Sequence, residues 1–197
     1  MSSAKHEMTQ ADIIGNDVYG PMRAERRRQI AALKRNRRVE VGPIATFYFE
    51  NYDTMWHQIH EMLYIEKGGD AQIEDELRAY NPLIPKGHDL VATLMFEIDD
   101  PVRRKNVLAS LGGIDHAVTL MVGADTIRGQ SVSEVERTNE AGKASAVHFI
   151  RFTLTDAQIA TFRRPRAQIV LGFAHPNYGH MAVIPESVRA ALAEDLD

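Results

Sequence analysis

Apolar and polar positions repeat with two different periods along the chain, and the changes of period separate predicted helices from predicted strands. Residues 20–38 begin with a Gly-Pro pair and have the pattern of a helix with proline in its first turn. Apolar residues recur every three to four positions in TMWHQIHEMLYIEK, residues 54–67, and an acidic helix is expected at about residues 70–80. Shorter helices are predicted at residues 101–111, 156–163 and 185–194.

Alternation of apolar and polar residues marks the strands. Residues 38–50 predict a strand broken by a Gly-Pro pair, after which Phe47 and Phe49 fall on one face and Glu50 on the other. Four more strands are predicted at residues 90–98, 117–122, 145–153 and 168–175. The irregular alternation, without a glycine-rich strand-to-helix turn, favours the α+β class. We expect a mostly antiparallel sheet of about five strands flanked by helices, with a basic N-terminal helix.

Length and composition narrow the class of protein. A chain of 197 residues most simply forms one domain, residues 1–197, with residues 1–10 expected to be disordered and residues 123–144 to form an exposed ribbon or mobile loop. The chain has no cysteine, which excludes disulfides, thiolate metal sites and cysteine nucleophiles. No apolar run reaches the roughly 18 residues of a membrane span and no secretory signal is visible, so we predict a cytoplasmic protein without membrane contact.

The net charge of −4 hides a local contrast. Residues 21–38 carry eight Lys or Arg side chains against the single Glu25, so the remainder of the chain is strongly acidic. Basic helices bind nucleic acid, but on a helical wheel Arg28 and Arg35 point away from the other arginines. We therefore disfavour nucleic-acid binding and expect the arginines to pair with carboxylates, within the fold or on a partner. A homo-oligomer stays open.

The candidate chemistry is a set of carboxylates and imidazoles, because no known catalytic signature is present. In the helix of residues 54–67, one face carries four polar side chains: His57, His60, Glu61 and Tyr64. The i, i+4 spacing of His57 and Glu61 permits coordination of one divalent ion, although a polar helix face is normally just solvated.

Two further carboxylates lie near this helix in the sequence. Glu50 ends an apolar strand, and Glu66 falls on the apolar side of the helix, where fraying of the last turn would expose it. If Glu50, Glu61 and Glu66 meet, their charges must be neutralised by protonation, arginine or metal. The alternatives are therefore a divalent metal or one of three arginines: Arg37, Arg38 or Arg151.

The C-terminal half adds imidazoles. SAVHFIRF places His148 on a strand face with Ile150 and Phe152, so His148 is either a hydrogen-bonded core residue or a ligand. AHPNYGH places His175 at a strand end with Tyr178 close behind, where a structural turn or a polar site would form.

Several ordered motifs together indicate a family: RRVEVGPIATFYFEN, the helix that begins at Thr54, ELRAYNPLIP, LVATLMFEI, SAVHFIRF and HPNY. Over about residues 9–196 the sequence resembles a bacterial family of unknown function, domain of unknown function 3501. Members are often encoded beside rubrerythrin-like and iron–sulfur proteins, so the resemblance implies iron handling or peroxide defence by association.

The resemblance also sorts the candidate residues. His57 and His60 stand where the family more usually has an aromatic residue and Gln, which argues against a metal site built on them. The better metal set consists of Glu50, Glu61, Glu66, His148 and His175, since iron, manganese and zinc accept such oxygen and nitrogen ligands. Further ligand-binding candidates that fit the family's motifs are Arg38, Gln58 and Tyr178.

Three functions are open at this point. The first is a Glu/His site that binds Fe, Mn, Zn or a small polar ligand in iron or oxidative-stress metabolism, with Glu50 and Glu61 as oxygen ligands and Gln58 positioning a water or ligand. The second is a non-catalytic docking partner or scaffold for a rubrerythrin-like or iron–sulfur redox protein, bound through the basic helix. The third is a small-molecule enzyme with Glu61 as general base and His148 as acid.

Overall fold

Six α-helices, nine strands and four short 3₁₀ turns make up the regular structure of residues 5–132 and 144–197, the part of the chain that this computed structural model describes. The helices are α1 (Asn16–Arg35), α2 (Tyr52–Glu66), α3 (Asp70–Tyr80), α4 (Pro101–Ala109), α5 (Asp156–Phe162) and α6 (Glu186–Leu192). The strands are β1 (Arg38–Val41), β2 (Ala45–Phe49), β3 (Asp89–Phe96), β4 (Val118–Val122), β5 (Asp125–Arg128), β6 (Gln130–Ser131), β7 (Val147–Thr153), β8 (Ile169–Phe173) and β9 (Met181–Val183).

The strands form two antiparallel sheets, which confirms the α+β class. One sheet has the order β1-β2-β3-β7-β6 and the other the order β5-β4-β8-β9. The sequence predicts a single sheet of about five strands. Local alternation reveals where each strand lies but not which strand it pairs with, so it cannot divide the strands between two sheets. In the structure β4 pairs with β8 instead of joining β3, and the second sheet results.

The inner faces of the two sheets share one apolar core. Phe47 and Phe49 of β2 share one face, as the alternation predicts, and the structure turns that face into the core, where the ring centroid of Phe47 lies 5.4 Å from that of Phe173 on β8. The outer face of the five-stranded sheet packs instead against α2, through Met55, Ile59 and other apolar residues of a second cluster. The central strands of this sheet therefore present one face to the core and one to the helical layer.

Helix α1 begins at Asn16, four residues before the predicted start, and Pro21 lies inside it. Tertiary packing extends the helix, because Tyr19 is fully buried between α1 and α2. At Gly20 the two helices come close together, since a Cβ atom there would lie 3.2 Å from the ring of Tyr64. On propensity alone, Pro21 is expected in the first turn of the helix, which gives a predicted start at about residue 20. Burial of Tyr19 outweighs that preference, and the helix starts earlier.

Part of the segment predicted as an exposed ribbon or loop is ordered into β5 and β6, and residues 133–143 of it lie outside the described residues. At the N-terminus residues 1–4 also lie outside them. Met8 is buried against the second cluster, and its backbone N–H donates to Asn81 Oδ1.

None of the helices in the described part of the chain combines the length and apolar character that a membrane crossing needs.

Candidate functional site

A cavity of about 300 Å³ opens on the outer face of the five-stranded sheet, beneath α2. Its floor comes from adjacent strands, because Tyr48 of β2 pairs directly with Thr93 of β3, and Thr93 pairs with Phe149 of β7. Side chains at paired positions stand on the same face of a sheet. The walls include Met55 of α2 and side chains from the end of α3, and we call this cavity the Glu50 cleft after the carboxylate in it.

Glu50 reaches the cleft because it continues the outward register of β2. It follows Phe49, which points into the core, so its own side chain points to the opposite face. The backbone N–H of Glu50 donates to the carbonyl of Val91 (2.8 Å), which holds the residue against β3. Thr93 is thereby placed to donate its hydroxyl to Glu50 Oε1 at 2.7 Å.

The second carboxylate oxygen of Glu50 is the unusual feature of the cleft. The residue is only 4% exposed, and Oε2 has no hydrogen-bond partner among residues 5–132 and 144–197. Leaving a buried acceptor unsatisfied costs about 1–3 kcal/mol, more when the group is charged. Such groups are uncommon in folded proteins and call for a reason. A ligand that donates a hydrogen bond to Oε2 would supply one.

The three arginines considered as neutralising partners for the carboxylates are engaged elsewhere. Arg37 contacts Asp195, Arg38 contacts Glu40, and the Nε of Arg151 lies 2.9 Å from Asp89 Oδ2. Arg37 does reach Glu50, but its Nη2 donates to the backbone carbonyl oxygen (3.0 Å) and not to the side chain. In the described residues the carboxylate of Glu50 therefore has no ion pair.

Gln58 is the second predicted residue that lies in the cleft. It stands one helical turn after Met55 on α2, and its Nε2 donates to the hydroxyl of Tyr80 at 3.4 Å. Glu50 and Gln58 are predicted from the sequence as candidate site residues, whereas Tyr80, Thr93 and Lys34, which also line the cleft, are not. The alternation in LVATLMFEI places Thr93 on the strand face opposite to that of the apolar Leu94. That pattern could have identified Thr93 as a polar residue directed away from the core.

Glu61, the other predicted oxygen ligand, is fully engaged between α1 and α2. Its Oε1 accepts from the Tyr19 hydroxyl (2.7 Å) and from Arg23 Nε (2.8 Å), and its Oε2 accepts from Arg23 Nη2 (2.8 Å). The bidentate guanidinium lowers the pKa of Glu61 to about 2. Burial, followed by the bond to Glu61, raises the pKa of Tyr19. The basic helix thus neutralises this carboxylate, as the pairing hypothesis expects, but through a different arginine.

The remaining members of the predicted metal set lie apart from the cleft. Glu66 is exposed at the end of α2, where its Oε2 accepts from Gln72. His148 is buried on the inner face of β7, directly opposite Leu94, and its Nε2 lies 2.9 Å from the Ser145 carbonyl oxygen. Glu50 and His148 are therefore on opposite faces of the same sheet.

His175 and Tyr178 hold a turn after β8. Nδ1 of His175 accepts from the Asn177 N–H (3.2 Å), and its Nε2 lies 3.2 Å from the Gly112 carbonyl oxygen. The buried hydroxyl of Tyr178 donates to the Val41 carbonyl (2.8 Å) and so holds the turn between β1 and β2. The contacts of His175 and Tyr178 are those of a structural turn, one of the two alternatives that the sequence leaves open for them. Across residues 5–132 and 144–197 no three His, Asp or Glu side chains are grouped as a metal would need.

Arg38 lies on the outer face of the sheet, at its edge. Its guanidinium contacts Glu40 and stands 5.7 Å from the ring centroid of Tyr48, which lines the cleft.

The arginines of α1 differ in their contacts. The guanidinium of Arg26 lies 4.7 Å from the Trp56 ring centroid and contacts Asp53. Arg27 is exposed and has no ion pair in the described residues, so its charge is available to a partner. Docking of a rubrerythrin-like or iron–sulfur protein on α1 stays a prediction.

The polar face of α2 is largely covered rather than fully solvated, because α1 and the residues before it pack on this face; His60 is buried, and His57, Glu61 and Tyr64 are half-buried. His60 is 1% exposed: its Nε2 accepts from the Ile14 N–H (3.1 Å), and its Nδ1 faces the Trp56 carbonyl oxygen at 2.7 Å. This arrangement requires a neutral ring with the proton on Nδ1. Desolvation lowers the pKa of His60, and nearby Arg26 lowers it further.

We expect stability to fall at mildly acidic pH because of this histidine. Its pKa is lowered in the folded state, so the stabilisation from the neutral ring is complete above the unfolded value of about 6.5 and is lost as the pH falls through the lowered value. An NMR titration of the ring protons of His60 should give a midpoint below that of the urea-unfolded chain. Equal midpoints would contradict the hydrogen bond from Ile14.

Comparison with known proteins places the chain in a family. No curated protein matches it. A crystal structure of a novel protein of unknown function from Burkholderia pseudomallei K96243 is 38% identical, with a TM-score of 0.90, and the match covers 96% of this chain and 99% of that one. The family described as Protein of unknown function (DUF3501) matches residues 7–196. The chain belongs to this family of proteins of unknown function, DUF3501.

Proposed function

We propose that the protein binds a small organic molecule in the Glu50 cleft, through a hydrogen-bond donor on the ligand that meets Glu50 Oε2. The observation that carries the proposal is the buried carboxylate oxygen without a partner in the described residues. A cavity of about 300 Å³ is at the small end of ligand sites, which span roughly 300–1,000 Å³. We also propose that the protein works in the cytoplasm.

The composition of the cleft supports an organic ligand better than a metal. Glu50 is the one acidic side chain among the residues that line it, and no histidine lines it. Divalent iron, manganese or zinc would need further protein ligands of these types. By contrast, a few polar groups set among apolar and aromatic walls are what small-molecule sites usually contain. The cleft holds such walls in Met55, Leu83 and Phe149.

The test is the affinity of a simple amine for the protein and two variants. We expect 2-phenylethylamine to bind the natural protein and to bind Glu50→Gln about tenfold to a hundredfold more weakly, because a charge-assisted hydrogen bond contributes about 1.5–3 kcal/mol. Isothermal titration calorimetry measures the difference.

Glu97→Gln is the matched control. Glu97 lies outside the cleft lining, and both its oxygens already accept hydrogen bonds, from Thr46 (2.6 Å) and Tyr48 (2.7 Å). Its replacement should leave the affinity for 2-phenylethylamine unchanged. If Glu50→Gln binds the amine as tightly as the natural protein does, Glu50 is not the binding group and the proposal fails.

A further inference from the structure

Two opposite charges line the Glu50 cleft without meeting each other. Lys34, on the last turn of α1, lines the same cavity as Glu50. Within residues 5–132 and 144–197 neither side chain has an ion pair with the other or with any other residue. An ammonium and a carboxylate that share a cavity but stay apart leave room for a molecule that contacts both.

We propose that the ligand of the cleft is a small zwitterion with an apolar body, of the kind that an α-amino acid represents. Its ammonium group donates to Glu50 Oε2, and its carboxylate accepts from Lys34 Nζ. This inference rests on the proposed function, because it assigns the second end of the ligand that Glu50 binds. A cationic partner and an anionic partner in one site select for a molecule that carries both charges.

Charge is distributed so as to orient such a ligand. Glu50 is buried whereas Lys34 is half-buried, so the negative charge lies deeper in the protein than the positive one. An ammonium group is therefore favoured at the floor and a carboxylate nearer the helix.

The walls between the two charges are apolar. Five lining side chains have no polar group that could take part in hydrogen bonding, apart from weakly accepting sulfur: Met55, Leu83, Met95, Val147 and Phe149. The rings of Tyr48 and Tyr80 add aromatic surface. Removal of apolar ligand surface from water would stabilise the complex in proportion to the area buried. A zwitterion with an apolar side chain fits these walls better than a purely polar one.

The experiment compares three probes that share one phenyl body and differ in charge. They are L-phenylalanine with both charges, 2-phenylethylamine with the ammonium alone and 3-phenylpropionate with the carboxylate alone; L-leucine serves as a second zwitterion. Calorimetric titration should show L-phenylalanine binding the natural protein about tenfold or more tightly than either singly charged probe. Weaker binding of both zwitterions than of the amine would overturn the inference.

Two variants assign the ends of the ligand. Lys34→Met should weaken L-phenylalanine about tenfold and leave 2-phenylethylamine unchanged, whereas Glu50→Gln should weaken both. Arg35→Met is the matched control, because it removes the same charge from the next residue, which does not line the cleft. Thermal unfolding followed by circular dichroism confirms that each variant is folded.

The outcomes separate this inference from the proposed function. If Lys34→Met binds L-phenylalanine unchanged while Glu50→Gln weakens the amine, the zwitterion is wrong and the Glu50 site stands. If Glu50→Gln weakens neither probe, both proposals fall. Tighter binding of 3-phenylpropionate than of the amine, or no binding of either zwitterion at millimolar concentration, also overturns the zwitterion.

Discussion

Arg37→Met should lower the free energy of unfolding by about 3–5 kcal/mol, the usual loss when one partner of a buried ion pair is removed. Arg37 is 3% exposed, and its guanidinium donates to the carbonyl oxygens of Phe49 and Glu50, each at 3.0 Å, and to the carboxylate of Asp195. It therefore ties the start of the five-stranded sheet to the C-terminal turn. Without it, two carbonyls and a carboxylate stay buried and unpaired.

Two variants sharpen this prediction, with urea unfolding as the measurement. Asp195→Asn should cost less than Arg37→Met, because the arginine keeps both carbonyls and the amide oxygen still accepts from it. Burial raises the pKa of Asp195 despite the facing arginine, so desolvation of the carboxylate offsets part of what the ion pair contributes. Arg38→Met, at the exposed neighbouring position, should change the free energy of unfolding by no more than about 0.5 kcal/mol. Equal losses for Arg37 and Arg38 would contradict the buried network.

Phe47→Ala should lower the free energy of unfolding by about 3–5 kcal/mol, as is typical when a buried aromatic side chain is truncated to alanine. The ring is fully buried between the two sheets and packs against Phe173, so its removal leaves a cavity where the sheets meet. Guanidinium unfolding measures the loss.

Tyr48→Phe tests the opposite face of the same strand. It removes the hydroxyl that donates to Glu97, a half-exposed contact, and should cost less than about 1 kcal/mol. A loss at Tyr48 as large as that at Phe47 would mean that the inward and outward faces of β2 are assigned wrongly.

The faces of individual strands could be predicted because side-chain direction follows from alternation alone. Phe47 and Phe49 point inward, Glu50 points outward, and His148 shares its face with Ile150, all as the pattern indicates. The relation between strands could not be predicted. Glu50 and His148 occupy opposite faces because of the pairing of β2 and β7 with β3, and such registers are long-range facts.

The candidate site was predictable to the same extent. Glu50 and Gln58 are both polar residues beside apolar runs, and the structure brings both to the cleft. Glu61 was an equally good ligand candidate by sequence, yet it is bound by Tyr19 and Arg23 because α1 packs against α2. Nothing in the sequence near either carboxylate shows that Glu61 is paired and Glu50 is not. The difference arises from tertiary packing. The basic helix reaches the carboxylate of Glu61 but not that of Glu50, whose Oε2 has no partner in the described residues.

Chemical-shift mapping on the ¹⁵N-labelled protein tests most directly whether Glu50 forms a ligand site. During titration with 2-phenylethylamine, we predict that the largest changes fall on backbone amides around the cleft, at Glu50, Thr93 and Phe149. Backbone amides of the four-stranded sheet, such as those of Leu120 and Leu171, should move less, and the changes should largely disappear in Glu50→Gln. Changes that are spread over the surface, or that persist unchanged in Glu50→Gln, would contradict a ligand site at this carboxylate.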